Sequence, residues 1–426
     1  MASPNRREFL GLLAGGVTAT ALPSTSMDGT PAARLERLAG FVSQDDDEAF
    51  WRLVKREFPI RPNLLMMNCA NLCPSPLPVI DTVTRLTRDV DADASFQNRG
   101  KFGELRTLAR NGLAQHVGAD PGEIAITRNT SEGNNTVVNG LGLGPGDEVV
   151  IWDQNHPTNN ASWDVRAERL GFTVTKVATP RSPRTSDELV EPFVRALNAN
   201  TRVLSLTHVS NVSGIQLPVK TLCAEARRRG ILAMVDGAQT LGALRLDLHD
   251  MGCDFFTSSS HKWFVGPKEA GLLYVRTERI GKLWANNVGV GYAGAVRNGA
   301  QKFDNLGQRD DACVAAMGTA AAFHDTIGID RIEARIRRLA TRLIEQLQAH
   351  LPDIEFTTPL VPELRAGVVI FSHPRVAGGT LFNRLYEEHD VAGAPRGAGV
   401  RLCPHIYHTL DDVDRAARAV ADVVAG

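Results

Sequence analysis

The chain has 426 residues, of which 43% are hydrophobic and 22% are charged. A chain of this kind can bury a large core, which excludes disorder for most of its length and favours two domains. Because 47 basic residues face 48 acidic ones, the net charge is −1, and we expect small molecules or proteins as partners and no nucleic acid.

The N-terminus carries a pattern typical of an export signal. Arg6 and Arg7 precede a modest apolar run over residues 10–22, which contains a small-residue segment at 19–21. The pattern resembles a signal read by the twin-arginine export machinery, and it predicts a periplasmic or extracellular protein with residues 1–32 as signal peptide and linker. A short amphipathic helix with incidental arginines is the alternative. Elsewhere no stretch approaches the ~20 apolar residues of a membrane span, so we expect none in the mature protein.

From residue 64 onward, short β-branched runs alternate with amphipathic stretches. This alternation predicts an α/β fold whose mostly parallel sheet is covered by helices on both faces. In such a sheet, ligands collect at the carboxyl ends of the strands. The expected strands cover residues 123–127, 148–152, 172–177, 203–209, 231–235 and 253–257.

The last part of the chain reads as a smaller α+β domain. A long helical pattern over residues 311–351 leads into strands at 367–371 and 400–402, with a helix at 380–388 between them and a final helix from Asp411. The expected organisation is a large domain over residues 63–305 and a small domain made of residues 33–62 and 306–426.

Two neighbouring strands end in an acid and an amine. The strand at 231–235 runs into Asp236, and the strand at 253–257 leads to Lys262. An isolated aspartate is ordinarily a turn former or a helix cap. This pair, however, suits pyridoxal 5'-phosphate (PLP), because a lysine forms a Schiff base with its aldehyde and an aspartate keeps its pyridine nitrogen protonated. The sequence therefore predicts a PLP site with Lys262 and Asp236 as catalytic residues.

A phosphate site is expected where the strand at 123–127 gives way to a helix. Thr130 and Ser131 stand at the start of that helix, where backbone N–H groups and hydroxyls can bind an anion. Asn129 and Glu132 resemble a capping box, so an ordinary capped helix is the alternative.

Three segments together resemble the class V aminotransferase family, in its cysteine desulfurase and isopenicillin N epimerase-like branch. They read TSEG at 130–133, DGAQ at 236–239 and SSHK at 259–262. The resemblance runs from about residue 64 to the C-terminus. It implies a fold-type I PLP-dependent transferase, with a seven-stranded-type sheet, a smaller α+β domain and a homodimer. It also implies roles by matching position: His156 stacks on the cofactor ring as a catalytic residue, Gln239 binds the phenolic oxygen, Ser259 and His261 join Thr130 and Ser131 at the phosphate, and Asn211 faces the cofactor.

The same resemblance implies a substrate site. Arg401 lies in a segment whose arginine clamps a substrate carboxylate in the family, a task that suits a planar guanidinium. Arg99 and Asn71 are further candidates for substrate binding. Gln308 stands where the family usually has Gly-Thr for a phosphate contact with the partner subunit, so we expect it to bind cofactor through its amide.

The expected function is PLP-dependent chemistry on an amino acid or peptide-borne amine next to a carboxylate. We predict aminotransferase-type chemistry in which Lys262 carries the Schiff base and then acts as the general base. Epimerase or C–S/β-lyase chemistry, or PLP binding without turnover, are the alternatives. Residues 391–400 read VAGAPRGAGV, which argues against a cysteine desulfurase because that activity needs a loop cysteine.

Cysteines and histidines carry no further site. The six cysteines are scattered and read as buried thiols, with a disulfide between Cys69 and Cys73 left open. His405 and His408 lack a third ligand at a fixed offset, as does the segment 387–390, so no metal is expected.

Overall fold

The computed structural model describes residues 30–41 and 48–426. Most of the predicted export signal, residues 1–29, lies outside the described residues. The helices are α1 (Pro31–Gly40), α2 (Glu48–Arg56), α3 (Leu77–Ala92), α4 (Phe96–Arg99), α5 (Lys101–Val117), α6 (Thr130–Gly140), α7 (Pro157–Leu170), α8 (Ser186–Ala196), α9 (Val219–Arg228), α10 (Leu248–Met251), α11 (Thr277–Ile280), α12 (Tyr292–Val296), α13 (Asp311–Ile327), α14 (Ile329–His350), α15 (Gly378–His389) and α16 (Leu410–Ala425). The strands are β1 (Leu65–Met66), β2 (Ile124–Thr127), β3 (Glu148–Trp152), β4 (Thr173–Val177), β5 (Thr201–Thr207), β6 (Leu232–Asp236), β7 (Phe255–Ser259), β8 (Gly271–Val275), β9 (Glu355–Phe356), β10 (Val369–Ser372), β11 (Val391–Ala392), β12 (Ala394–Arg396) and β13 (Gly399–Leu402).

A seven-stranded, mostly parallel sheet forms the centre of the molecule and confirms the expected α/β fold. Its order is β2-β8-β7-β6-β5-β3-β4. All six strands expected from the sequence are present, with ends that differ by up to two residues. The seventh, β8, is antiparallel to both of its neighbours and was missed. Residues in β2, β3, β7 and β8 are buried throughout, as expected for strands covered on both faces.

Parallel pairing brings the chemistry to one edge of this sheet. Asp236 at the end of β6 pairs with Thr207 of β5 on one side and with Thr257 of β7 on the other. Ser259 ends β7, and Lys262 follows three residues later. The acid and the amine therefore leave neighbouring strands at the same edge.

A four-stranded antiparallel sheet, β12-β13-β10-β9, forms in the C-terminal part of the chain, and β1 pairs in parallel with β11. A hydrophobic cluster fills the space between these strands and the helices α14, α15 and α16, with Leu343, Phe371, Leu381 and Val420 fully buried. The strand-helix-strand-helix order expected after residue 366 is therefore present.

The long helical pattern of residues 311–351 is two helices. Gly328 has a φ of 92°, a left-handed value that favours glycine, and α13 and α14 meet there at 78°. Helix α13 packs against α3 and α5, whereas α14 packs against α16. Among the described residues no single helix is long and apolar enough to cross a membrane, and only this bent pair meets the length and composition criteria jointly.

The first described helices pack on different partners. Helix α1 begins at Pro31 behind a Thr30 cap, so the last two residues of the expected linker are helical, and it lies against α3 and α13. Helix α2 reaches the C-terminal part, because Lys55 binds Asp412 at 2.6 Å and Glu48 pairs with Arg335.

Candidate active site

Asp236 is a buried carboxylate with a fixed orientation. It is 1% exposed, its Oδ2 accepts from Asn134 Nδ2 at 3.0 Å, and its Oδ1 accepts from the backbone N–H of Ala238 at 3.0 Å. The next residue, Gly237, has to be a glycine, because a Cβ there would lie 1.9 Å from the ring of Phe256. Both donors are neutral and each oxygen keeps a further lone pair, so the carboxylate can receive one more donor that carries positive charge.

Asn134 was missed by the sequence analysis. It lies one helical turn after Thr130 on α6, and its Oδ1 accepts from Thr257 Oγ1 at 2.5 Å. It therefore holds Asp236 and the end of β7 together. The i, i+4 spacing from Thr130 is the signal that could have found it.

Lys262 lies partly buried beside Asp236, and its amine makes no hydrogen bond among the described residues. Burial lowers its pKa from 10.5 to about 8, Asp236 opposes this shift, and Arg401 and Arg396 add to it. A lysine with a pKa near neutrality supplies the neutral amine that a carbonyl addition requires.

We expect the attachment of PLP to the apoprotein to be pH-dependent with a midpoint near pH 8. At pH 7 the lowered pKa raises the neutral fraction from about 0.03% for an ordinary lysine to about 9%. The attachment rate, followed by stopped-flow absorbance, should rise about tenfold per pH unit below this midpoint and level off above it. A rate that keeps rising to pH 10 would contradict a lowered pKa.

His156 caps helix α7 and is neutral. Burial lowers its pKa, and the nearby Lys262 lowers it further, against the opposing effect of Asp236. Its Nδ1 accepts from the backbone N–H of Thr158 at 3.2 Å, which leaves the proton on Nε2. The ring is therefore oriented and uncharged, as a group that stacks on a cofactor ring would be.

The start of helix α6 forms a cup for an anion. Asn129 caps the helix by accepting from Glu132 N at 3.0 Å, and the Thr130 backbone N–H donates to Ser259 Oγ at 2.8 Å. The hydroxyls of Thr130 and Ser259 lie 2.6 Å apart. Ser131 is exposed at the second helical position. Backbone donors, hydroxyls and the helix dipole together suit a phosphate.

His261 lies partly buried between Ser259 and Lys262. Burial and then Lys262 lower its pKa to about 4, so the imidazole is neutral. Its carbonyl accepts from Cys73 N at 2.8 Å, which ties the segment before Lys262 to the segment after β1.

Gly271 on β8 makes room for the anion cup, and Gly271→Ala is expected to disturb it. A Cβ there would lie 2.6 Å from Ser258 O and 2.9 Å from the Asn129 Cα. We expect a loss of about 1–3 kcal/mol in the free energy of unfolding and weaker PLP binding. Thermal melts and PLP titration measure both. The matched control is Gly281→Ala, since nothing lies within 4 Å of that position. Equal effects of the two substitutions would contradict the argument.

Gln239 is buried and makes two hydrogen bonds. Its Nε2 donates to Ala70 O at 3.0 Å, and its Oε1 accepts from Trp263 Nε1 at 2.7 Å. These bonds fix the amide beside the residue that follows Lys262. The donor that it would offer to a phenolic oxygen is the second hydrogen of Nε2.

Arg401 is 1% exposed and leaves β13 toward two asparagines. Its Nη1 donates to Asn211 O at 3.2 Å, and its Nη2 donates to Asn68 Oδ1 at 2.9 Å. Its Nε is buried and has no hydrogen-bond partner among the described residues. The structure therefore brings Arg401 and Asn211 together, and it places Asn68 in contact with Arg401, whereas Asn71 is exposed in the following turn.

Arg99 and Gln308 contact each other. Arg99 Nη1 donates to Gln308 Oε1 at 3.2 Å, and the Arg99 guanidinium lies 4.9 Å from the ring centroid of Phe96. Gln308 is exposed. Within the described part of the chain, the hydrogen bonds of this pair do not reach Lys262 or Asp236.

The six cysteines are free thiols, and five of them are buried. A different group of potential metal ligands, Asp120, Glu123 and His249, lies before β2, at the end opposite the anion cup. The Glu123 carboxylate there accepts from Asp120 N, Thr277 N and Thr277 Oγ1 and contacts His249 Nε2 at 2.6 Å. Hydrogen bonding within the chain explains this cluster.

The residues at the sheet edge fit PLP. The Asp236 carboxylate suits a protonated ring nitrogen, the unpartnered amine of Lys262 suits the aldehyde, and the cup at the start of α6 suits the phosphate. The buried, unpartnered Nε of Arg401 remains available for a substrate carboxylate.

Comparisons with known proteins show the family of this chain. Residues 73–419 match the family model for class V aminotransferases. The isopenicillin N epimerase of Amycolatopsis lactamdurans is 30% identical over 396 residues, which are 88% of this chain and 98% of that protein. The probable cysteine desulfurase of Halalkalibacterium halodurans is 28% identical over 407 residues, 86% of this chain and 96% of that protein.

Solved structures share the fold. A C-DES mutant with glycine covalently linked to its PLP cofactor matches with a TM-score of 0.78 and 22% identity, covering 86% of this chain and 99% of that one. The apo cysteine desulfurase of Thermococcus onnurineus NA1 matches with a TM-score of 0.78 and 22% identity, over 91% and 100% of the two chains. This chain therefore belongs to the class V aminotransferase family and is a PLP-dependent enzyme with the type I fold.

Proposed function

We propose that the enzyme acts on the α-amino group of an amino acid or a peptide-borne amine next to a carboxylate, with aminotransferase-type chemistry. PLP, when bound, withdraws electrons from the carbon that carries the amine. Arg401 binds the substrate carboxylate and positions that carbon beside Lys262. Asp236 would keep positive charge on the ring nitrogen, and Lys262 would take the proton from the α-carbon and deliver it to the cofactor.

The observation that carries this proposal is that Lys262 is suited to carry the proton for the whole reaction. Its pKa of about 8 allows both gain and loss of a proton near neutrality. Arg401 and Arg396, which act on it electrostatically, offer hydrogen-bond donors and no acceptor. His156 cannot take a proton at Nδ1 without breaking its bond from Thr158 N. One mobile proton carrier suits transamination, in which the proton leaves the α-carbon and returns to the cofactor.

Epimerisation is the second candidate. The alignment with the epimerase of Amycolatopsis lactamdurans covers 98% of that protein. That reaction returns the proton to the opposite face of the α-carbon, which requires a second proton donor there or a rotation of the substrate. Both candidates use Lys262, Asp236 and Arg401 in the same way.

Cysteine desulfuration is disfavoured by the segment that would carry its nucleophile. Residues 391–400 form β11, β12 and the start of β13 and contain no cysteine. Cys403 lies further on and is fully buried, and the backbone N–H of the same residue donates to Met67 O at 2.7 Å. A thiol in that position cannot move out to a substrate without unpairing the strand.

A single-turnover experiment separates the candidates. The purified holoenzyme is mixed with each amino acid of a panel in deuterated water, and keto acid and recovered amino acid are both quantified. We expect keto acid in stoichiometric amount with the enzyme. Recovered amino acid with deuterium and inverted configuration, without keto acid, would instead establish an epimerase.

We also propose a homodimer that is exported by the twin-arginine route. The dimer is supported by large apolar side chains that are exposed in the described chain, namely Phe96, Trp284, Val288 and Val290. Export is supported by Arg6 and Arg7 ahead of the apolar run. Light scattering tests the first proposal, and loss of translocation on changing both arginines to lysine tests the second.

A further inference from the structure

Arg396 is a second guanidinium at the active site that the proposed chemistry does not use. It lies on β12, in the segment that lacks the desulfurase cysteine. Its Nε is buried without a hydrogen-bond partner, and the described residues provide it with no ion pair. Burial lowers its pKa, and the neighbouring Arg401 lowers it further. A partly buried arginine without an anion is costly unless a ligand supplies one.

The strand register places Arg396 and Arg401 on the same face of the small sheet. In the antiparallel pair of β12 and β13, Ala394 lies opposite Arg401. Residues that lie directly opposite each other point to the same face, and so do residues two apart in a strand. Ala394 and Arg396 are two apart, so Arg396 shares the face of Arg401.

The charges of the site point the same way. Arg396 acts electrostatically on both Lys262 and His156, as Arg401 does. Three basic groups, Lys262, Arg396 and Arg401, therefore act at the reacting position, and Asp236 is the carboxylate that opposes their effect on the pKa of Lys262 and His156 among the described residues. The α-carboxylate of a substrate, which Arg401 would bind, neutralises the charge of only one of the two guanidiniums. The guanidinium of Arg396 is then left without an anion.

We propose that Arg396 binds a second carboxylate, carried on the side chain of the substrate, so that the enzyme selects dicarboxylic amino acids or amines with a distal carboxylate. This inference rests on the proposed function, because it assumes that Arg401 holds the α-carboxylate. Arg396 is then a specificity residue, and its removal affects only ligands that carry the second anion.

Binding of unreactive dicarboxylates tests the inference without turnover. Isothermal calorimetry on the holoenzyme compares glutarate with butyrate, which has one carboxylate. We expect the wild-type enzyme to bind glutarate at least about tenfold more tightly than butyrate. A charge-assisted hydrogen bond contributes binding free energy of this size. Arg396→Met should abolish the preference while butyrate affinity stays unchanged. Arg396→Lys should restore part of the preference, since it keeps the charge but loses the planar fork.

Two comparisons make the result specific. Arg375→Met removes the same charge from an exposed turn and should leave both affinities as in wild type. Arg401→Met should weaken both ligands. A wild type without preference for glutarate, or an Arg396→Met variant that keeps the preference or loses both ligands equally, would overturn the inference. If glutarate selectivity depends on Arg396 but no amino acid yields keto acid, the proposed reaction fails while the second anion site stands.

Discussion

Turnover is expected to fall about 10⁴-fold or more when Lys262 is replaced by alanine, since a positioned general base contributes up to this factor and its covalent role is lost with it. The side chain lies partly buried beside Asp236 with its pKa lowered to about 8, so no solvent base can take its place at the same position. The rate is measured with the amino acid that reacts in single turnover.

Attachment of the cofactor gives an independent readout for the same variant. After borohydride reduction and proteolysis, mass spectrometry should find PLP on the peptide that contains Lys262 in wild type and on no peptide in Lys262→Ala. The control is Lys268→Ala, six residues later, where an exposed lysine donates to Ser75 Oγ at 3.0 Å. PLP found on another lysine of the variant, together with wild-type turnover, would show that Lys262 has been assigned wrongly.

The second large effect is expected for Asp236→Asn, with a loss of about 10³-fold in kcat, the scale found when one preorganised electrostatic contact to a transition state is removed. The amide has the shape of the carboxylate, and its oxygen can still accept from the Ala238 N–H, but its NH2 group cannot accept from Asn134 Nδ2. The loss in kcat therefore arises from the missing charge together with this one missing hydrogen bond. PLP should remain attached to Lys262 in this variant. The measurements are kcat, the visible absorbance of the bound cofactor and the melting temperature.

A structural explanation for that loss can be tested with Asp254→Asn. Asp254 is a buried carboxylate directly before β7 that accepts from Ala233 N and pairs with Arg279, away from Lys262. The Asp254→Asn substitution should lower the melting temperature without lowering the kcat of the folded enzyme. Wild-type kcat in Asp236→Asn would contradict the role of its charge.

Most of the central sheet could be predicted because most of its strands are buried and alternate with helices. Six of its strands were found to within two residues at each end. Strand β8 escaped because it is antiparallel, follows β7 without a helix and adds no motif of its own. The break at Gly328 was missed because the apolar pattern continues across it, while the left-handed φ depends on how α13 and α14 pack.

The residues of the candidate site also differ in how far local sequence determines their position. Asp236, Lys262 and Thr130 could be found because each follows a strand of the central sheet within a few residues, where local sequence determines position. Asn68 could not, since it follows β1, which pairs with β11 far along the chain. Arg396 could not, since it lies in the short hairpin of β12 and β13, whose place is set by the pairing of β13 with β10. Arg99 and Gln308 contact each other, and within the described chain their hydrogen bonds do not extend to Lys262 or Asp236.

The pairing of β1 with β11 has a consequence for the order in which the protein is made. Leu65 N donates to Asp390 O, Met67 N donates to Ala392 O, and Tyr407 Oη donates to Met66 O. The segment that carries Asn68 therefore acquires its partners only after nearly the whole chain has left the ribosome. A nascent or truncated chain that stops before residue 390 contains every strand of the central sheet, yet it lacks both arginines of the proposed substrate site. The proposed substrate site is therefore completed only by the last few dozen residues of the chain.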